Sequence, residues 1–143
     1  MSHNHVYNWK GFIDFSEMLF YHFGNETVFT NCNSETIFRV ICSRAYYGIF
    51  KQIEDFLRDN TVELPEYVTR RGRMRRLGSH EKIRMYVEQR NRNLSTLLRR
   101  LSAIRTKADY DKRVEISEEY AQISIEKAKE AYNLFEQYRN GLI

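Results

Sequence analysis

The chain has 143 residues, 42% hydrophobic and 29% charged, with one proline and six glycines. This length suits a single domain, which we expect to span residues 1–143, and the shortage of turn-forming residues disfavours an all-β fold. The net charge is +4, but residues 69–107 alone carry +11 and the rest of the chain −7. This asymmetry indicates either a phosphate-binding surface or charges that compensate one another between packed helices.

Two cysteines, Cys32 and Cys42, lie ten residues apart without a zinc-ligand pattern. We therefore expect reduced thiols, no metal site and no cofactor. The N-terminus lacks the pattern of a signal peptide, and ionisable side chains interrupt the apolar segment 12–23. These features predict a cytoplasmic protein that does not enter a membrane.

Apolar periodicity predicts two helices in the first part of the chain. Apolar residues cluster at helical spacing over residues 9–23, and Gly24 follows as a stop. Residues 31–34 supply N-cap candidates for a long second helix that ends near Asp59. Its apolar positions form a broad arc, so this helix should be the central and most buried one.

Three more helices are predicted after a basic segment. Residues 66–78 are basic, contain two glycines and predict a mobile or ligand-ordered loop. Ser79 can cap a short third helix, and a bend should precede a fourth helix with a regular apolar stripe over residues 94–108. A fifth helix should run from Ser117 to a stop at Gly141. The sequence thus predicts an all-α fold, an antiparallel bundle of about five helices.

Arg44 lies in the most apolar stretch of the second helix, where a buried guanidinium needs a partner. Tyr47 and Lys51 follow on adjoining turns, so one edge of this helix presents a polar strip. The pattern is equally compatible with a functional arginine and with a structural one bonded to a carboxylate or a helix end.

Arg75 and Arg76 precede His80 where the third helix should begin. Arginine donors and the N–H groups of a helix N-terminus can hold a phosphodiester, and a histidine can exchange a proton with a ribose 2′-OH. The alternative is that His80 is an ordinary helix residue beside a solvated basic loop.

Arg105, Asp109 and Tyr110 place a base, an acid and a phenol within two turns at the end of the fourth helix. The i,i+4 spacing of Arg105 and Asp109 also predicts a helix salt bridge, which contributes only about 0.3–0.5 kcal/mol. Both interpretations stay open on the sequence alone.

Three features together resemble the small prokaryotic HEPN proteins. They are Arg-Ala-Tyr-Tyr at residues 44–47, a histidine that opens the third helix, and Leu-x-x-Leu-x-x-Ile-Arg-x-x-Ala-Asp-Tyr at residues 98–110. The resemblance covers residues 9–135. It implies a HEPN-like bundle of four to five helices that forms a homodimer and acts on RNA or binds nucleotide. Many family members are metal-independent ribonucleases or toxins paired with a nucleotidyltransferase antitoxin.

The nuclease signature of the family is an arginine, four to six residues and a histidine, and it usually lies on the helix that carries Arg105 here. Tyr110 stands where that histidine is needed, whereas Arg75 and His80 have the permitted spacing earlier in the chain. From the resemblance and the chemistry together, we predict a catalytic set of His80, Arg44, Arg105 and Tyr110, and a binding set of Arg75, Arg76, Tyr47, Asp109 and Lys51.

Two functions follow from these residues. The first is a metal-independent ribonuclease or toxin-like component of a defence or stress system, with His80 as general acid and base and arginines on the scissile phosphate. The second is a non-catalytic dimeric module that binds nucleotide, RNA or a nucleotidyltransferase partner through the basic loop. A structural or antitoxin-like subunit is a third, weaker interpretation.

Overall fold

A computed structural model of the chain describes residues 5–25, 29 and 31–143. Within these residues the fold is a bundle of five α-helices, which confirms the predicted all-α architecture. A two-stranded sheet separates the second and third helices, and a short 3-10 helix, Arg139–Leu142, ends the chain. The elements in chain order are α1 Lys10–His22, α2 Ser34–Asp59, β1 Tyr67–Arg70, β2 Arg73–Arg76, α3 Ser79–Glu88, α4 Arg92–Tyr110 and α5 Glu118–Tyr138.

Side chains cap three of the helices at their first turns. Asn33 accepts a hydrogen bond from the backbone N–H of Thr36 at 2.8 Å, which confirms the cap predicted for α2. Asn91 caps α4 and Ser117 caps α5 in the same way. The cap predicted at Ser79 is wrong, because Ser79 is already the first residue of α3 and Gly78 precedes it as the N-cap.

α2 is the central helix, as predicted, and it packs against α1, α4 and α5. Ile41, Ala45, Ile49 and Ile53 follow one another along its buried face, each with no exposed surface. The crossing with α1 is close, since a Cβ atom at Gly48 would lie 2.7 Å from Cγ1 of Ile13. In the described part of the chain, no helix combines the length and apolar character needed to cross a bilayer.

The basic segment 66–78, expected to be a loop, contains an antiparallel β-hairpin. Tyr67 pairs with Arg76, and the ladder continues to a pair between Arg70 and Arg73. The two residues of the turn, Arg71 and Gly72, have φ values of 51° and 75°, the left-handed backbone that suits the twist of a tight hairpin. Sequence reasoning missed it because arginines hide the apolar alternation of a strand and Arg-Gly is a weaker turn signal than Asn-Gly.

Candidate functional site

His80 lies in the first turn of α3 and stacks in parallel on Phe50 of α2, with ring centroids 4.1 Å apart and an interplanar angle of 4°. Its Nδ1 is 2.6 Å from the hydroxyl of Tyr46, a side chain with no exposed surface. Burial lowers the pKa of His80, and the positive charges of Arg105 and Arg84 lower it further. The imidazole is therefore held in a fixed orientation and is neutral near pH 7.

Tyr46 decides which nitrogen of His80 is available for chemistry. Burial raises the pKa of Tyr46 to about 12, although hydrogen bonding to Ser102 opposes the shift, so its hydroxyl stays protonated. The Tyr46 hydroxyl can donate a hydrogen bond to Nδ1 or accept one from it, and in both cases Nε2 is not bonded to Tyr46. Tyr46 thus supports both tautomers of His80 without moving the ring.

Arg105 of α4 lies beside the same pair of tyrosines. Its Nη2 donates to the hydroxyl of Tyr47. Its guanidinium carbon is 4.8 Å from the ring centroid of Tyr47 and 5.6 Å from that of Tyr46, both within cation–π distance. Its Nε lies 3.0 Å from Oδ2 of Asp109, which confirms the predicted ion pair. The N–H of Arg105 Nε does not form a hydrogen bond with this carboxylate, so Arg105 and Asp109 interact there only as an ion pair.

Arg44 approaches Tyr47 from α2. Its guanidinium carbon is 5.2 Å from the ring centroid of Tyr47 and 5.4 Å from that of Phe12 on α1. Its Nη2 bonds to Oγ of Ser43 at 3.2 Å, and Ser43 in turn donates to Asp109 at 3.2 Å. Among the described residues Arg44 forms no ion pair of its own, so its charge is balanced only indirectly, through Ser43.

These contacts define one group of side chains from α2, α3 and α4, which we call the tyrosine–arginine cluster. Two cations lie around a single tyrosine ring, a buried tyrosine holds a neutral imidazole, and one carboxylate carries the compensating charge. An arrangement of this kind can hold a phosphate and exchange a proton with a hydroxyl group beside it. Its members are Arg44, Tyr46, Tyr47, His80, Arg105 and Asp109.

A family model described as HEPN domain matches residues 30–138, most of the chain. The chain belongs to the HEPN family. The matched region includes every helix that contributes to the tyrosine–arginine cluster, and the family is one of nucleotide-binding and ribonuclease-related domains. Searches of curated proteins and of solved structures gave no match.

The other predicted site residues of this HEPN domain lie at or beyond the edge of the cluster. Tyr110 is 72% exposed, with the guanidinium carbon of Arg105 5.4 Å from its ring centroid. Lys51 pairs with Glu54 at 2.9 Å, and both charges act on the pKa of His80. Tyr110 and Lys51 thus lie near the cluster, and neither forms a hydrogen bond with His80.

Arg75 and Arg76 lie on β2 and are exposed. Both terminal nitrogens of Arg75 bond to the carboxylate of Glu81, at 3.0 and 2.9 Å. Glu81 also accepts from the N–H of Gly78 at 3.4 Å. Arg75 therefore links the hairpin to the start of α3. Its guanidinium is paired with Glu81 and does not contact His80, as a shared phosphate site would need.

Sequence reasoning did not assign a site role to Tyr46 or Arg84. Tyr46 stood in the quoted motif, but a tyrosine in an apolar helix is more often a core residue. Arg84 is four residues after His80 on α3, so helical spacing places both on one face. Its Nη1 lies 3.5 Å from Oγ of Ser102, and its charge helps to lower the pKa of His80.

A surface cleft of about 430 Å³ lies beside the cluster, on the other side of Asp109. Arg39 lines this cleft and donates to the carbonyl oxygens of Lys107, Ala108 and Asp111, which fixes the C-terminal end of α4. A volume of this size suits a small ligand. In the described residues, no group of three or more His, Cys, Asp and Glu is placed to hold a metal ion. The lining residues are Asn33, Glu35, Thr36, Arg39, Ala108, Asp109, Tyr110 and Lys112.

Proposed function

We propose that this HEPN domain is a ribonuclease in which His80 transfers protons while Arg44 and Arg105 hold the scissile phosphate. The observation that carries the proposal is the meeting of three elements at Tyr46 and Tyr47. A neutral, oriented imidazole lies there with two guanidinium groups that only one carboxylate balances. Cations that are not fully paired attract an anion, and a phosphodiester is the anion that RNA supplies.

The proposed reaction needs only groups that the cluster contains. His80 takes the proton of a ribose 2′-OH at Nε2 while Nδ1–H donates to Tyr46. The 2′-oxygen attacks the adjacent phosphorus, the bond to the 5′-oxygen breaks, and the imidazolium returns its proton to that oxygen. The products are a 2′,3′-cyclic phosphate and a 5′-hydroxyl. Arg44 and Arg105 stabilise the negative charge that develops on the phosphoryl oxygens.

We propose further that two copies of the chain pair with their clusters close together. The support is a row of exposed apolar side chains on α1, where Phe15 is 45%, Met18 46% and Tyr21 77% exposed. This row begins one turn after Phe12, the residue that packs against Arg44. A dimer through this face would bury the apolar row and bring two sets of arginines to one RNA strand.

A second candidate function is a non-catalytic module that binds a nucleotide or a nucleotidyltransferase-type partner. Two observations favour it. Tyr110 replaces the histidine of the usual nuclease signature, and its exposed ring lines the cleft of about 430 Å³. In this case the cleft, and not His80, would be the functional site.

The test is incubation of the purified protein with single-stranded RNA in EDTA, with analysis of the fragment ends. We expect cleavage that leaves 2′,3′-cyclic phosphates, and its loss in His80→Ala with the helical circular dichroism unchanged. Arg100→Ala, the removal of an exposed arginine on α4, is the matched control and should retain activity. RNA that stays intact at high protein concentration would exclude the ribonuclease and leave the binding module.

A further inference from the structure

The basic hairpin, residues 67–76, has two chemically different faces. Side chains directly opposite each other in a β-ladder lie on the same face, and successive residues alternate between faces. The pairs Val68–Arg75 and Arg70–Arg73 therefore share one face, and the pairs Tyr67–Arg76 and Thr69–Met74 share the other.

The first face is attached to the body of the domain. The two bonds from Arg75 to Glu81 tie it to the first turn of α3. Leu77 directly after β2 is only 3% exposed, and its N–H donates to the carbonyl oxygen of Glu66 at 2.8 Å. The hairpin is thereby fixed at its base relative to α3.

The second face is open. Tyr67 is 53% exposed and Met74 70% exposed, and the two side chains lie on the same face of the ladder. Arg76, opposite Tyr67, and Thr69, opposite Met74, are exposed as well. This face thus presents an aromatic ring, a thioether and a guanidinium side by side.

We infer that the open face of the basic hairpin binds single-stranded RNA, with a base stacked on Tyr67 and the flanking phosphates held by Arg76 and by Arg71 of the turn. The inference rests on the proposed RNA-directed function and names the surface that selects the substrate. Stacking on an aromatic ring together with arginine contacts to phosphates is how proteins bind single strands without reading their sequence.

Charge and shape both favour a single strand over other occupants. Residues 67–80 contain five arginines and no acidic residue, so the surface is complementary to a polyanion. An acidic polypeptide would satisfy these arginines but offers no flat base for Tyr67. A duplex keeps its bases stacked internally, and the deep, narrow major groove of A-form RNA is closed to side chains.

The hairpin also leads toward the cluster. β2 ends at Arg76, and α3 begins three residues later with Ser79 and His80. Only Leu77 and Gly78 separate the hairpin from the helix that carries His80, so an RNA strand on the open face lies on an element joined directly to that helix. Binding on the open face would raise the local concentration of phosphodiester at His80.

The test measures binding separately from cleavage. A fluorescently labelled 12-nucleotide RNA with 2′-O-methyl groups serves as the probe, because it lacks the 2′-OH that cleavage needs, and its affinity is followed by fluorescence anisotropy. Tyr67→Ala should weaken binding by about 5- to 100-fold, the range for loss of one stacked base, and Tyr67→Phe should not. Arg76→Ala should weaken binding and reduce the salt dependence by about one phosphate contact.

Arg92→Ala, the removal of an exposed arginine on α4, is the matched control and should bind as the wild-type protein does. Equal affinities of wild type and Tyr67→Ala, tighter binding of the same sequence as a duplex, or binding of polyglutamate in place of RNA would each overturn the inference. Binding of the probe without any cleavage of unmodified RNA would refute the ribonuclease alone, and cleavage with an unchanged KM in Tyr67→Ala would refute the hairpin inference alone.

Discussion

The domain contains two arginine-rich regions that differ in how their charges are held. In the tyrosine–arginine cluster, Arg105 and Arg44 contact aromatic rings and share the single carboxylate of Asp109. In the basic hairpin, only Arg75 has a carboxylate partner among the described residues, and the other arginines are exposed. Arginines fixed in a partly buried network can place a phosphate with precision, whereas exposed ones attract a chain without fixing its register. This difference suits the cluster to RNA cleavage and the hairpin to RNA binding.

The largest expected effect comes from removing the central guanidinium of the cluster. Arg105→Ala should lower kcat for RNA cleavage by about 10²- to 10³-fold, the loss typical of one group that stabilises developing charge. Arg105→Lys should not restore it, because an ammonium group lacks the planar guanidinium that bonds the hydroxyl of Tyr47 while it pairs ionically with Asp109. Steady-state kinetics of the two Arg105 variants and of Arg76→Ala will show whether the cluster acts in cleavage and the hairpin in RNA binding.

Arg76→Ala should raise KM and leave kcat close to wild type. If Arg76→Ala lowered kcat as strongly as Arg105→Ala does, the separation between the two regions would be wrong.

The next effect concerns the close crossing of α1 and α2. Gly48→Ala would place a methyl group 2.7 Å from Cγ1 of Ile13 and 3.1 Å from the carbonyl oxygen of Trp9, and the backbone atom cannot easily move. We expect a loss of about 1–3 kcal/mol in the free energy of unfolding, measured by urea denaturation. Gly24→Ala is the control, because nothing lies within 4 Å of its added methyl group. Equal stability of the two variants would contradict the packing of α1 on α2.

The smallest effect is a change in the pH dependence of stability. The pKa of His80 is lower in the folded protein than its usual value of 6.5, mainly through burial, so the unfolded chain binds the proton more tightly. The neutral imidazole therefore stabilises the fold fully above about pH 6.5, and this contribution is lost as the pH falls through that value toward the folded pKa. His80→Phe keeps the stack on Phe50 without a titrating group.

The difference in thermal midpoint between wild type and His80→Phe should accordingly change between pH 7.5 and pH 5.5, with the wild type losing more on acidification. A difference that stays constant over this range would show that His80 keeps an ordinary pKa in the folded protein.

The helices were predictable because their periodicity and their polar caps are local signals. The apolar stripe over residues 94–108 and the caps at Asn33 and Ser117 needed no knowledge of the rest of the chain. α5 ends at Tyr138, three residues before the predicted stop at Gly141, because the last turn tightens into a 3-10 helix. Five arginines hid the alternation of the hairpin, so its strands could not be found in this way.

The site was predictable only in part, since it depends on tertiary contacts. The convergence of Arg44, Tyr47, Arg105 and Asp109 was expected from family resemblance, and the geometry brings these side chains together. The bond between Tyr46 and His80 joins residues 34 positions apart, and no local pattern predicts it. The pairing of Arg75 with Glu81 was missed for a different reason, because the strand that directs Arg75 toward α3 was itself not predicted.

Acceptance of a phosphate by the cluster around His80 underlies both proposals. Its most direct test is an NMR titration of the His80 imidazole in the full chain, with and without the 2′-O-methyl RNA. We expect a pKa below 6.5 for His80 in the unbound protein and a higher pKa once RNA is bound, because a nearby negative charge stabilises the imidazolium. A His80 pKa that is unchanged when the protein is saturated with RNA would show that no phosphate binds beside His80.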